Sequence, residues 1–382
     1  MPTTFNVRAL ASTVRIELDD SLSQADREAI KAHWVDLVPD GEDEADLVIR
    51  AGLGVHSVSA GTQVVKADSP TSLAQRITTE VTLGAIGGLR GGALMLHASA
   101  VALDDGRVIG FVGPSGRGKT TAARALGRSY GYVTDETLAV RADGSVIAYP
   151  KPLSIGSRPG VKTTEPASML GLRGAPADNL RLVALVLLDR RPEADQPFVE
   201  SVQIVDALAE LVPQTSHLSA LEHPLRTLTE AILSTGGVRR IVYSEASTLP
   251  TLMDEVLSEV DNDTPMLTDI SSMSQRGCEG LLGPAETRPG ASASNQPGAY
   301  WRATCLDALL VDDALIVLVP GKAVVLVGIG PTLWLAADGL TESKLLEVAL
   351  RAFPEPPAGV DVAEVVARAL ASMVEMQILV RD

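Results

Sequence analysis

Residues Gly113, Pro114, Ser115, Gly116, Arg117, Gly118, Lys119 and Thr120 spell G-x-x-x-x-G-K-T, with Thr121 directly after. This is the spacing of a loop that wraps the phosphates of a nucleoside triphosphate. The glycines let the backbone turn its N–H groups inward. Lys119 is long enough to reach the β- and γ-phosphates, and the Thr120 hydroxyl can hold a metal. ATP and Mg2+ are the ligands expected from this pattern. The flanks agree. Arg107 to Val112 is a short apolar, β-branched run that reads as a buried strand, and Thr121 to Arg128 is rich in Ala, Leu and Arg and reads as a helix. The start of that helix adds a partial positive charge at the phosphates.

Binding a nucleotide is not yet chemistry. Phosphoryl transfer also needs a group to hold the metal and one to orient or deprotonate the acceptor. Asp135 and Glu136 are the best placed by sequence. They follow the phosphate-loop helix and precede an apolar run, Leu138 to Val140, which as a strand beside the loop strand would bring both carboxylates near the γ-phosphate. The competing reading is a solvated acidic turn, since acidic pairs recur at Asp19-Asp20, Asp104-Asp105 and Asp312-Asp313. His97 lies on a strand-like run one hairpin ahead of the loop. A lone histidine among apolar residues is more often structural, and residue type alone leaves its role open. Arg158 and Lys162, in a Gly/Pro-containing stretch, read as surface charge ahead of acceptor-side cations.

The elements that must position these groups can be read in outline. Leu73 to Leu89 has apolar residues at helical spacing, and Ala93 to Leu103 reads as one or two strands. Asp104-Asp-Gly106 is a hairpin signal. Leu182 to Leu188 has the composition of a fully buried strand, Arg239 to Tyr243 of a closing strand, and Thr251 to Val260 of a last helix. Residues 261–299 are rich in Ser, Thr, Gly, Pro and Asp and read as a linker. From Tyr300, three short strands (308–311, 315–319, 323–327) precede three helical segments (331–337, 341–353, 362–376), the pattern of a small winged-helix-like α+β domain. Asp361 and Thr341 are expected helix caps. The division expected is an N-terminal α/β region over 1–92 packed on a core over 93–260, then the linker, then a module over 300–382.

The 382 residues allow two or three domains, and a hydrophobic share of 46% is ample for their cores. A formal charge of −16 argues against general nucleic-acid binding. No apolar run reaches the length of a membrane span, and the N-terminus lacks a signal-peptide pattern. Cys278 and Cys305 give neither a metal-site spacing nor a disulfide framework, so a reducing cytoplasm, where ATP is available, is the expected location.

Taken together, Leu96-His-Ala-Ser-Ala-Val-Ala-Leu103, the phosphate loop, Tyr132-Val-Thr-Asp-Glu136 and Tyr149-Pro-Lys-Pro-Leu153 resemble HPr kinase-like proteins. These share the mixed α/β phosphate-loop core of phosphoenolpyruvate carboxykinase. The resemblance covers about residues 73–255 and is most specific over 93–153. It implies that Asp135 is the base toward an acceptor serine, that Glu136 stands on the metal side with Asp135 and Thr120, and that His97 lies near the transferred phosphate. Glu136 replaces the second Asp of the founding enzymes, whose substrate-loop signature is also absent, so HPr itself is not the expected acceptor. The chain is closer to HPr kinase-like proteins of gene clusters for ribosomally made, modified peptides, which include kinases acting on a serine of a precursor.

Asp313-Ala-Leu-Ile-Val-Leu and Gly330-Pro-Thr-Leu-Trp-Leu-Ala-Ala-Asp-Gly-Leu-Thr341 resemble PqqD-like domains over residues 300–382. The implied partner is the leader of a precursor peptide, added as a strand to a sheet edge. Trp334 itself reads as core. Homo-oligomers are known among the founding enzymes. Two other readings remain beside the peptide kinase: a kinase for a small hydroxylated metabolite, and a non-catalytic, ATP-gated adaptor that presents peptides.

Overall fold

A computed structural model describes residues 3–39, 41, 44–54, 63–114, 116–158, 161–176, 179–258, 264–270, 297–355 and 359–382. The chain is mixed α/β and forms two compact units. One comprises residues 1–202, 214–221 and 231–262; the other comprises 203–213, 222–230 and 263–382.

The first unit opens with β1 (Thr3–Ala9), β2 (Ser12–Leu18), β3 (Leu47–Leu53) and β4 (Gln63–Ala67), a sheet in that order. The β1–β2 pair is an antiparallel hairpin, and β2–β3 and β3–β4 are parallel. Val14, Ile16 and Leu18 alternate with Arg15 and Glu17 and are fully buried, as period-two patterning requires. Helix α1 (Gln24–Ala32) connects β2 to β3, and α2 (Pro70–Gly88) follows β4. The helix expected over Leu73 to Leu89 begins three residues earlier. Ser69 caps it by accepting from the Ser72 amide, and Pro70 sits where no amide partner is needed. Leu73, Ile77, Val81 and Ala85 form its buried stripe. They share a core with the early strands and with Met95, Ala139, Ile147 and Tyr149, so α2 and this sheet pack onto the strands that carry the site.

Those strands are β5 (Leu94–Ala102), β6 (Arg107–Val112), β7 (Gly131–Thr134), β8 (Thr137–Val140) and β9 (Val146–Ile147). A separate hairpin, β10 (Leu153–Arg158) with β11 (Val161–Glu165), carries Arg158 and Lys162. Then follow β12 (Arg173–Gly174), β13 (Arg181–Arg190), β14 (Phe198–Val202), β15 (Thr215–Ser216) and β16 (Val238–Tyr243). The large sheet runs β12-β7-β5-β6-β13-β16-β14, with β8 and β15 also paired to β5, and β9 to β8. Strands β6, β13 and β16 are parallel neighbours, and β5 is antiparallel to β6. The loop strand β6 is central and buried from Val108 to Val112. At Gly110 a Cβ would stand 2.5 Å from a Leu138 methyl, so a larger residue there would force Leu138 to shift. Helix α3 (Lys119–Leu126) packs Ala122 and Leu126 against Phe111, Val186, Ile241 and Tyr243. Where one helix was expected over Thr251 to Val260, a 3-10 segment, Ala246–Leu252, runs into α6 (Met253–Val256). Pro250, which has no amide to donate, lies in the tighter part. Residues 259 and 260 lie outside the described residues.

The second unit takes in α4 (Ile204–Leu211) and α5 (Pro224–Ser234) as far as Glu230. Strands β17 (Leu267–Asp269), β19 (Asp307–Val311), β20 (Ala314–Val319) and β21 (Lys322–Leu326) form an antiparallel sheet in that order. A smaller sheet places β18 (Ala299–Arg302) between β22 (Asp338–Thr341) and β23 (Leu379–Arg381). Three helices, α7 (Gly330–Ala336), α8 (Glu342–Ala352) and α9 (Val362–Glu375), complete the unit. The Asp361 carboxylate caps α9 by accepting from the amides of Ala363 and Glu364, whereas Thr341 makes no side-chain cap. Trp334 is core, 1% exposed, and its indole donates to the Ile378 carbonyl at 3.2 Å. Cys305 is buried, and Cys278 lies outside the described residues. Within the expected linker, Leu267–Asp269 is a strand on β19 and Ala299 begins β18; residues 271–296 lie outside the described residues. Buried Asp307 accepts from the Leu225 amide at 2.8 Å, satisfying one open donor in the first turn of α5.

Candidate functional site

Strand β6 ends at Val112, the glycine loop follows, and α3 begins at Lys119. Gly116 and Gly118 take positive φ, +82° and +93°, which glycine adopts without strain. Gly118 stands just before α3, and the buried Tyr243, at the end of β16, braces the turn by donating its hydroxyl to the Arg117 carbonyl at 3.2 Å. Lys119 is 7% exposed, and its ammonium folds back to donate to the carbonyls of Gly113 at 2.6 Å and Pro114 at 3.3 Å. Burial pushes the Lys119 ammonium below its ordinary pKa, while the charges of Glu136 and Asp135 pull it back up. Of the loop residues, Ser115 lies outside the described residues.

Asp135 and Glu136 occupy the turn between β7 and β8, both of which pair with β5. The turn is locally determined: the Thr134 hydroxyl accepts from the amides of Glu136 at 3.2 Å and Thr137 at 3.3 Å. Asp135 is 4% exposed and so is not a solvated acidic turn residue. Its Oδ2 accepts from the Thr120 hydroxyl at 2.9 Å. Its Oδ1 accepts from the Tyr132 hydroxyl and faces the Lys151 ammonium, each at 3.0 Å. Lys151 also stands 3.6 Å from Glu136 Oε2 and donates weakly to the Pro152 carbonyl at 3.4 Å. Burial, and then the adjacent Asp135 charge, raise the Tyr132 phenol well above its ordinary pKa, so it remains a donor.

His97, on β5, reaches the same turn. Its Nδ1 is 3.1 Å from the Glu136 carbonyl oxygen and 3.4 Å from Glu136 Oε1. A carbonyl can only accept, so Nδ1 is the donor in this contact. Lys119, Thr120, Asp135, Glu136 and His97 are thus linked by direct contacts or short-range charge at the mouth of one loop.

Lys151, Tyr132, Tyr149 and Tyr243 were not among the expected site residues. Lys151 is 3% exposed. It lies between two prolines, and its backbone N–H donates to Tyr149 O at 2.8 Å. The Tyr149 amide in turn donates to Val133 on β7, and its hydroxyl meets that of Thr82 on α2 at 2.9 Å. Burial raises the Tyr149 phenol above its ordinary pKa. The signals for Lys151 are its place in the Tyr149-Pro-Lys-Pro-Leu153 stretch and a lysine fixed between two prolines.

Among the described residues, no group of three or more His, Cys, Asp or Glu side chains could hold a metal ion unaided. The oxygen set of Thr120 Oγ1, Asp135 and Glu136 does fit a hard cation that arrives with phosphate oxygens and water, which is how Mg2+ is held beside nucleotides. The Thr120 hydroxyl spends its proton on Asp135, leaving its lone pairs for such an ion. No helix among the described residues is long and apolar enough to cross a membrane. No protein-family model matches the chain, and no curated protein matches it.

Proposed function

We propose that the chain is an ATP- and Mg2+-dependent kinase with an HPr kinase-like phosphate-loop core. Its acceptor is a hydroxyl, a serine of a ribosomally made precursor peptide. One observation carries this reading. A buried carboxylate, Asp135, accepts a hydrogen bond from Thr120, the second residue of α3, which supports a base beside the expected γ-phosphate position.

In this reaction the serine oxygen forms a bond to the γ-phosphorus as the bond to the β,γ-bridging oxygen breaks, and the serine proton passes to Asp135. Loop amides hold the phosphates, and Lys119 exchanges its contacts with the Gly113 and Pro114 carbonyls for phosphate oxygens. Bound Mg2+ supplies charge neutralisation on the phosphate oxygens. His97, anchored through Nδ1, directs Nε2 away from Glu136 as a further polar group for the acceptor or the phosphate.

The second unit suits a peptide-recruiting role of PqqD-like, winged-helix-like type. Strand β21 is the last in its sheet, and addition of an extended leader as a further strand there is the mode this reading expects. A cytoplasmic location fits this reading, since ATP and unmodified precursors are found there.

The direct test is incubation with ATP, Mg2+ and the short peptides encoded beside this chain, with phosphoserine read by mass spectrometry. A leader-only peptide should raise KM for the full precursor and leave kcat unchanged. Tight ATP binding without transfer to any peptide would favour the adaptor. ATP consumption only with small hydroxylated compounds would favour the metabolite kinase.

A further inference from the structure

Among the described residues, Lys151 is the one buried cation at the site that the phosphate-loop pattern does not account for. Its ammonium touches both carboxylates of the turn, Asp135 Oδ1 at 3.0 Å and Glu136 Oε2 at 3.6 Å. It is held in place twice over, by its flanking prolines and by the Tyr149 hydrogen bonds to α2 and β7. With Tyr132 it takes up Oδ1 and leaves Oδ2 as the Asp135 oxygen bonded to Thr120.

We propose that Lys151 is a positioning residue that serves as a tethered counter-ion of the Asp135–Glu136 pair. It occupies the inner side of the two carboxylates, keeps a free divalent cation from settling between them, and directs Oδ2 toward the phosphate loop. Metal then enters as its nucleotide complex, on the Thr120 side. The physical basis is charge. Two neighbouring carboxylates attract a divalent cation, and one ammonium at contact distance removes much of that attraction.

The inference deepens the kinase reading and rests on it for its purpose. Its test uses metal alone, so that its failure is distinct from failure of the kinase reading, which nucleotide binding and transfer report. The full-length chain is titrated with Mn2+ in the absence of nucleotide, and free Mn2+ is followed by electron paramagnetic resonance. The unaltered chain should bind Mn2+ weakly. Lys151→Met and Lys151→Gln should each bind it at least about tenfold more tightly, while Lys151→Arg, which keeps the charge, should stay weak. A purely structural role for Lys151 would lower Tm in the neutral variants without moving Mn2+ affinity, and that result overturns the proposal. So does tight Mn2+ binding by the unaltered chain. If neither neutral variant folds, the shorter Lys151→Ala is titrated in their place: tightened binding supports the counter-ion role and unchanged binding overturns it.

Discussion

The Thr120 hydroxyl donates to Asp135 Oδ2 across 2.9 Å, tying the first turn of α3 to the turn that links β7 to β8. The residue expected to touch the metal and the residue expected to take the acceptor proton are therefore one unit. Asp135→Asn keeps the shape and removes the negative charge. It should lower kcat by at least about a thousandfold, the scale on which a lost base and a lost transition-state charge contact act together. Lys119→Ala should abolish transfer through lost phosphate contacts. Rates come from single-turnover assays on labelled ATP. Near-normal turnover by Asp135→Asn would remove the base assignment while leaving Lys119 in place.

The pairing of Lys151 with Asp135 also predicts a stability pattern. Both side chains are almost wholly buried. Removing one partner leaves an uncompensated charge in the interior, at about 3–5 kcal/mol, whereas removing both leaves none. Lys151→Met and Asp135→Asn should each destabilise the first unit, and the double variant should be more stable than the sum of the two losses implies. Urea denaturation of the four chains measures the coupling, and strict additivity would mean that the two groups do not interact.

Gly118 and Tyr243 form a second coupled pair at the loop. Gly118 has φ of +93°, and a Cβ there would stand 3.0 Å from the Tyr243 hydroxyl. Gly118→Ala should cost about 1–3 kcal/mol of backbone strain and weaken binding of an ATP analogue. Tyr243→Phe removes the donor to the Arg117 carbonyl and should weaken analogue binding by less than about tenfold. The double variant should lose less than the product of the two effects, because the phenylalanine relieves the contact. Isothermal titration with a non-hydrolysable analogue gives all four values.

Much of this architecture was legible from sequence because its signals are local. Strand β6 spans the apolar run from Arg107 to Val112, and Leu182 to Leu188 lies inside β13. The Pro331, Thr341 and Val362 starts fall within a residue of α7, α8 and α9. Asp135 and Glu136 were legible because a carboxylate pair after the loop helix has few places to go. The rest depends on tertiary contact. Lys151 becomes a site residue only because β7 and the run after β9 meet at the Tyr149 amide. Strand β14 carries Phe198, Glu200 and Ser201 on an exposed edge and lacks the apolar run that marks a buried strand. Strand β17 is three residues in a Ser- and Asp-rich stretch, stable only against β19. The allocation of α4 and the start of α5 to the second unit is likewise set by packing that no local pattern encodes.

A pH dependence arises away from the site, at the C-terminal end of α1. His33 Nδ1 is buried without a hydrogen-bond partner. Burial lowers the His33 pKa below its ordinary value, with the Glu165 charge opposing the shift. A histidine depressed in the folded state is neutral there while the unfolded chain takes up its proton first. Its contribution to stability is therefore intact above about pH 6.5 and is lost as pH falls through the folded-state value. Thermal melts between about pH 7.5 and 5.5 should show Tm falling toward acid in the unaltered chain, and falling less in His33→Leu, which has no proton to bind. Equal slopes for the two chains would show that His33 titrates alike in folded and unfolded states, and the acid sensitivity would then belong to other groups.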